Sequence, residues 1–347
     1  MTKRLACVAA AALLLILPAD ASAQTAQDGR DAVQARLSVE PGYAGVFGVA
    51  REGRMSTGLL GQAGPGRPHD PSAAFRWASV SKMITAILVF QQIDDGALSL
   101  DAPVSSYVRL PTLPNADRIT IRQLLAHRSG LAGQSELPNG PPGDLALYCT
   151  TASAEPGSVF LYNNCDTIIL GKVLEAVTAS SYLDLVNVRI GAPLGVTLAL
   201  PDEARIEATM EDGSAEAPVW PSGYGPAGGL YGRIEDLLTI DVALMEGRLM
   251  SAGSLETMLT GDPASGYAAL SVWSYSPDLV GCIGKTRLVE RYGEIGGVQV
   301  RNFLLPDLKL AVAVYSNDHR TGFGEVWRGQ GLSIDLIRAA ACGSPGA

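Results

Sequence analysis

Ser79-Val80-Ser81-Lys82-Met83-Ile84-Thr85-Ala86-Ile87-Leu88-Val89-Phe90 opens an apolar helical run with a hydroxyl and an amine three residues apart. Residues i and i+3 share a helix face, so the Lys82 amine can reach the Ser79 hydroxyl. The positive end of the helix can also receive a developing oxyanion. The run is apolar nearly all round, which predicts burial. A buried amine favours its neutral form and can accept a proton near neutral pH, so Ser79 and Lys82 read as a nucleophile with its own base. On its own an S-x-x-K pattern also fits a capping serine and a solvated lysine, and it needs company.

That company begins at Tyr162-Asn163-Asn164, a Y-x-N that follows the Pro156-Gly157 turn and precedes a helical stretch from 166 to 177. Further segments follow in order along the chain: Asp95-Gly96-Ala97-Leu98-Ser99-Leu100-Asp101, Leu124-Leu125-Ala126-His127-Arg128-Ser129-Gly130-Leu131 and Pro226-Ala227-Gly228-Gly229-Leu230. With these motifs the chain resembles the serine β-lactamase and penicillin-binding-protein superfamily, most closely its class C-like and D-aminopeptidase/esterase branch. The resemblance runs from about 43 to 317, and its specificity comes from several co-ordered motifs.

The resemblance implies an α/β (α+β) fold of the β-lactamase/transpeptidase type, an antiparallel sheet flanked by terminal helices with a mostly helical region inserted. It implies Ser79, Lys82 and Tyr162 as catalytic residues, with Asn164 bonding both Lys82 and a substrate amide. Whether Lys82 or Tyr162 is the base proper is open. The family's third motif, K-T-G or H-x-G on a strand beside the cleft, is matched here to Gly293-Glu294-Ile295-Gly296-Gly297. A carboxylate then stands where a cation or imidazole is expected, while Lys285-Thr286 is a decoy because Arg287 fills its glycine slot. Glu294, Gly296 and Gly297 join Asn164 as expected substrate-binding residues, and the Gly297 N–H is expected to complete an oxyanion hole with the Ser79 N–H. His127 is read as framework, as are Asp70, Arg128 and Arg301.

The residue pattern predicts strands over 43–50 and 55–63 around a turn at Arg51-Glu52-Gly53-Arg54, and again over 267–273, 298–305 and 310–316. Helices are predicted over 79–94, 121–127, 166–177, 234–245, 254–259 and 334–341. The sheet must therefore be assembled from both ends of the chain, with a sheet part at 24–78 and 262–347 and a helical part at 79–261.

At the N-terminus, Lys3 and Arg4 precede a thirteen-residue apolar run, Leu5 to Leu17, and Ala21-Ser22-Ala23 offers a small-residue cleavage site. This reads as a signal peptide over 1–23, since a spanning helix needs ~20 apolar residues. The expected location is periplasmic or secreted. The chain carries a net charge of −9, and losing Lys3, Arg4 and Asp20 makes it one unit more negative, which argues against a nucleic-acid partner. An apolar content of 47% over 347 residues is enough for one large core. Four cysteines remain after processing, and three pairings are open to them. Proximity favours Cys149 with Cys165, leaving Cys282 with Cys342. His69, His127 and His319 show no metal-type spacing, so no metal and no cofactor are expected.

Two functions follow. The first is a serine hydrolase forming an acyl-enzyme on Ser79 with a small-molecule or peptide ester or amide, including D-amino-acid peptides, but lacking the carboxylate that Glu294 would repel. The second is a non-catalytic binding protein on the same fold. A true β-lactamase or D-Ala-D-Ala peptidase is a further alternative. Intact Ser79, Lys82 and Tyr162 favour a hydrolase, since a binding module has no chemical need of all three.

Overall fold

The computed structural model describes residues 21–70, 72–132, 143–201, 208–279 and 283–342. The long elements are α1 (Ala21–Ser38), β1 (Gly45–Arg51), β2 (Arg54–Leu60), α2 (Ser81–Asp94), α3 (Cys165–Thr178), α4 (Ile234–Met245), β3 (Trp273–Tyr275), β4 (Leu288–Ile295), β5 (Val298–Leu305), β6 (Leu310–Ser316) and α5 (Leu332–Cys342). The strands form one six-stranded antiparallel sheet in the order β2-β1-β6-β5-β4-β3. The β1–β6 ladder, Gly45↔Ser316 to Arg51↔Leu310, joins the two ends of the chain and leaves the intervening segments as a helical layer.

Both faces of the sheet are covered, so β1 and β6 are buried nearly throughout and apolar on both sides instead of alternating. Every residue of β6 is buried. Leu310, Val312 and Val314 face α1 and α5, packing with Val33, Leu37, Phe303 and Ile337. Ala311, Ala313 and Tyr315 face the helical layer, packing with the cluster that holds α2 and α4. The β1–β2 hairpin turns at Glu52 and Gly53, with φ of 51° and 78°, as a two-residue turn matched to strand twist requires. α2 is the buried central helix of that layer, with every residue from Ser81 to Gln92 enclosed.

Two elements differ from the sequence reading. The strand expected over 267–273 is only the three residues of β3, because Tyr267 and Ser271 have φ of 63° and 70°, which no strand accommodates. The stretch from Leu288 to Ile295, with charged and glycine positions that mask its pattern, is a full strand. Cys149 and Cys165 form a disulfide. Cys342 is also held in a disulfide, while Cys282, its expected partner, lies outside the described residues, as does the apolar run at 5–17. Among the described residues no helix is long and apolar enough to cross a membrane.

Candidate active site

Ser79 lies in a single 3₁₀ turn, Ala78–Val80, which leads directly into α2. Ala78 before it has φ of 47°, a left-handed conformation that is costly for a residue with a Cβ, and this bend aims the Ser79 backbone at β4. On the next turn Lys82 is fully buried, and its Nζ donates to Ser79 Oγ at 3.2 Å, to Asn164 Oδ1 at 2.7 Å and to Ala227 O at 2.6 Å. Three acceptors use all three ammonium protons. Burial nevertheless prevails, with Arg291 adding to it, and lowers the Lys82 pKa to about 8.

Tyr162 reaches the same point from the segment before α3. Its OH donates to Ser79 Oγ at 2.8 Å, and its ring lies 5.1 Å from Lys82 Nζ. Although the side chain as a whole is 39% exposed, its hydroxyl is enclosed by Ser79, Lys82 and Arg291. Burial alone would raise the phenol. Arg291, Lys82 and the hydrogen bonds together outweigh it and bring the pKa down to about 8. The Cys149–Cys165 link closes the loop that carries Tyr162 and Asn164, and Asn164 sits at the N-terminus of α3.

His127 is buried beneath Tyr162, with ring centroids 4.6 Å apart, and its Nδ1 lies 3.3 Å from Asp166 Oδ2. Burial first, then Arg291 and Lys82, holds the imidazole well below its usual pKa, and burial pushes the Asp166 carboxyl well up. Both shifts favour the uncharged form of the group. The pair supports Tyr162 from below without touching Ser79.

The third segment departs from the sequence reading. Arg291, two positions before the stretch expected there, turns toward Ser79, where its Nε donates to Ser79 O at 2.8 Å and its Nη2 to the Tyr162 oxygen at 2.6 Å. Its guanidinium is also packed against the Trp273 ring at 5.1 Å. Arg291-Tyr292-Gly293 thus has the cation-x-glycine spacing of K-T-G and H-x-G. That spacing is present in the sequence, although the Gly296-Gly297 pair beside it carries the stronger glycine signal. A Cβ on Gly293 would stand 2.7 Å from Ser79 N, so only glycine lets β4 come this close.

Glu294 is not where the sequence placed it. Side chains alternate across a strand, so Arg291, Gly293 and Ile295 share the face toward Ser79, and Tyr292 and Glu294 take the face of α1 and α5. There the Glu294 carboxylate pairs with Arg301 at 2.7 Å, and Arg301 lies over the Tyr292 and Phe323 rings. No carboxylate takes the cation's place. Gly296 and Gly297 form the turn between β4 and β5, with φ of 58° at Gly296. The Gly297 N–H donates to Glu216 Oε1 at 3.0 Å and is not available to Ser79, which corrects its expected place in an oxyanion hole. Among the described residues no group of three or more His, Cys, Asp and Glu could hold a metal ion.

Comparison with known proteins gives these contacts a context. The chain is 32% identical over 231 residues to penicillin-binding protein 4 of Amycolatopsis lactamdurans, covering 60% of this chain and 59% of that one. It is 30% identical over 246 residues to the putative penicillin-binding protein PbpX of Bacillus subtilis (strain 168), covering 66% and 61%. It thus spans about three fifths of the length of these curated relatives. A D-stereospecific amidohydrolase from Streptomyces sp. superposes with a TM-score of 0.74 at 24% identity, over 92% of this chain and 99% of that one. The D-amino acid amidase from Ochrobactrum anthropi SV3 gives 0.74 at 22% identity, over 90% and 97%. At such identities these two show a shared fold, the β-lactamase/transpeptidase-like arrangement of sheet and helices. The sequence profile of one family extends over residues 30–333, from α1 to α5 and through all three segments around Ser79, and on that match the chain belongs to the Beta-lactamase family.

Proposed function

We propose that this protein is an exported serine hydrolase that cleaves an ester or amide through an acyl-enzyme on Ser79. The observation that carries this reading is the convergence on Ser79 Oγ of Tyr162 OH at 2.8 Å and Lys82 Nζ at 3.2 Å, two groups whose pKa values both fall to about 8. Such a pair can take and return a proton near neutral pH. Because the two groups interact, they titrate together and the base belongs to the pair.

In the first step Ser79 Oγ attacks the carbonyl carbon as its proton passes to the Tyr162–Lys82 pair. The carbonyl oxygen becomes an oxyanion. Ser79 N–H is one donor for it, and strand geometry supports Glu294 N–H as the second. Ile295 and Val298 close a two-residue hairpin, so Gly293 and Ile295 direct their amides at β5, and Tyr292 and Glu294 direct theirs to the opposite side. Collapse expels the alcohol or amine, which takes the proton from Tyr162. Water, deprotonated by the same pair, then releases the acyl group and restores Ser79. Arg291 holds the Tyr162 oxygen and favours its ionised form, and Asn164 fixes the Lys82 amine.

A second reading, acylation by penicillins or D-Ala-ending peptides, is favoured by Arg291. With Glu294 turned away and paired, Lys82 and Arg291 are the charged groups behind the nucleophile, and like-charge repulsion of a substrate carboxylate no longer applies. Penicillins, which the names of the relatives suggest, carry a carboxylate that fits this field. The test is labelling with a fluorescent fluorophosphonate and a fluorescent penicillin, with the adduct located by mass spectrometry. Label on Ser79, lost in Ser79→Ala, is expected for the fluorophosphonate, and penicillin label adds the second reading. Ester turnover that persists in Ser79→Ala would overturn the mechanism.

A further inference from the structure

Arg76 stands three residues before Ser79, on a two-residue strand, Phe75–Arg76, that pairs with Tyr231–Gly232. Its side chain is fully buried, and its Nη2 donates to both carboxylate oxygens of Glu216. The same Glu216 Oε1 accepts the Gly297 N–H at 3.0 Å, and the Glu216 side chain is only 4% exposed. One carboxylate therefore ties together two segments that also meet at Trp77, Ala78 and Ser79. One end of it holds the strand that leads into the nucleophile. The other holds the turn that closes the β4–β5 hairpin, three residues beyond Glu294.

The surroundings are built for this bridge. A Cβ on Gly296 would run into the Glu216 carboxylate, and one on Gly297 would stand 2.7 Å from Thr209 O, which explains the Gly-Gly pair that the sequence made conspicuous. The loop that carries Glu216 is fixed in turn. Glu216 N donates to Ala208 O, Thr209 N to Asn317 O and His319 N to Thr209 O, each at 2.9 Å. The Arg76 Nε and Nη1 atoms are buried without a hydrogen-bond partner among the described residues, and Glu216 supplies the carboxylate that pairs with this buried guanidinium.

We infer that Glu216 is a positioning residue that, through Arg76 and Gly297, sets the separation between the Ser79 and Glu294 N–H groups. It touches neither substrate nor nucleophile. The inference rests on the acyl-transfer reading above. Two amide donors help a tetrahedral oxyanion only when both lie at hydrogen-bond distance from it, so a small displacement of the hairpin costs transition-state binding and leaves ground-state binding nearly intact.

The experiment compares wild type with Glu216→Gln and with Arg76→Gln/Glu216→Gln, which removes both buried charges. It follows ester turnover, inhibition by phenylboronic acid as a tetrahedral analogue, and thermal melting. For folded variants kcat should fall about 10- to 100-fold with KM little changed, as for a displaced catalytic group. The inhibition constant for the boronic acid should rise by the same factor as kcat/KM falls, in the single and the double variant alike. Either variant melting cooperatively with kcat and boronic acid affinity within about twofold of wild type would overturn the clamp, and so would recovery of kcat in the double variant. Ser79→Ala is run in parallel. Its loss of turnover keeps the acyl-enzyme reading standing whatever happens at Glu216, and turnover retained there would sink that reading independently.

Discussion

Arg291 Nη2 donates to the Tyr162 oxygen at 2.6 Å, and the same guanidinium holds the Ser79 carbonyl through Nε at 2.8 Å. A strand residue thus reaches both the backbone of Ser79, the proposed nucleophile, and the group proposed to carry its proton. Arg291 favours the ionised phenol and the neutral amine, so its removal raises both pKa values. In the wild type kcat/KM for a p-nitrophenyl ester should climb as pH rises through about 8, where the Tyr162–Lys82 pair loses its proton. In Arg291→Gln that limb should move to higher pH and the rate at pH 7 should drop about 10- to 100-fold. Arg291→Lys should fall between. A pH profile unchanged in Arg291→Gln would show that the guanidinium does not govern the pair.

Gly293→Ala tests the close approach of β4. The added methyl would stand 2.7 Å from Ser79 N and 2.9 Å from Ala78 Cβ, and the nitrogen belongs to backbone that cannot rotate aside. Overpacking of this kind costs about 1–3 kcal/mol. The predicted loss of turnover exceeds what that destabilisation explains, because the amide of Ser79 must shift. Circular dichroism melting alongside kcat separates the two effects, and a folded variant with normal kcat would contradict the geometry.

The Cys149–Cys165 disulfide closes a loop of sequence separation 16 that contains Tyr162 and Asn164. Loop-closure entropy assigns a link of this size about 3 kcal/mol. Cys149→Ser/Cys165→Ser should lower the melting temperature correspondingly and reduce kcat even well below that temperature, since Asn164 adjoins Cys165 and bonds Lys82. Thermal melts and ester kinetics at 15 °C check both halves. An unchanged melting temperature would show that packing alone holds the segment.

Asp241 on α4 is fully buried against Asn302 of β5, whose Nδ2 donates to Asp241 Oδ1 at 2.9 Å. Burial raises its pKa from 3.8 to about 8, whereas the unfolded carboxyl ionises at its ordinary value. Its contribution to stability is therefore full below 3.8, declines as pH rises between the two values, and levels off above about 8. Among the described residues Asp241 Oδ2 and Asn302 Oδ1 are both buried without a hydrogen-bond partner, and an amide at 241 would supply a donor to Asn302. Asp241→Asn should thus raise stability at pH 8 by about 1–3 kcal/mol and by less near pH 4. Denaturant melts at the two pH values decide it, and equal changes at both would refute the titration.

Much of this was legible in the chain. The apolar run after Lys82 announced a buried helix because an all-round apolar helix has no other place to go, and the apolar stretches at the two ends announced a sheet closed by the β1–β6 ladder. Tyr162 and Asn164 could be named from their Y-x-N motif, and locality paired the cysteines that close their loop. β4 was hidden, since a strand with Glu290, Arg291 and Glu294 carries its charges into a cleft, a buried bond and a salt bridge, and so lacks a plain alternation.

What the sequence determined by itself was the set of local facts, namely helical and extended periods, glycine turns and the one-turn spacing of Ser79 and Lys82, because these depend on neighbours along the chain. Only the tertiary structure decided which face of β4 meets Ser79. A shift of one residue along a strand turns every side chain to the other side, so Arg291 rather than Glu294 stands at Ser79. Tertiary packing likewise brought Arg76, Glu216 and Gly297 together from positions 140 and 81 residues apart, a juxtaposition that no local pattern encodes.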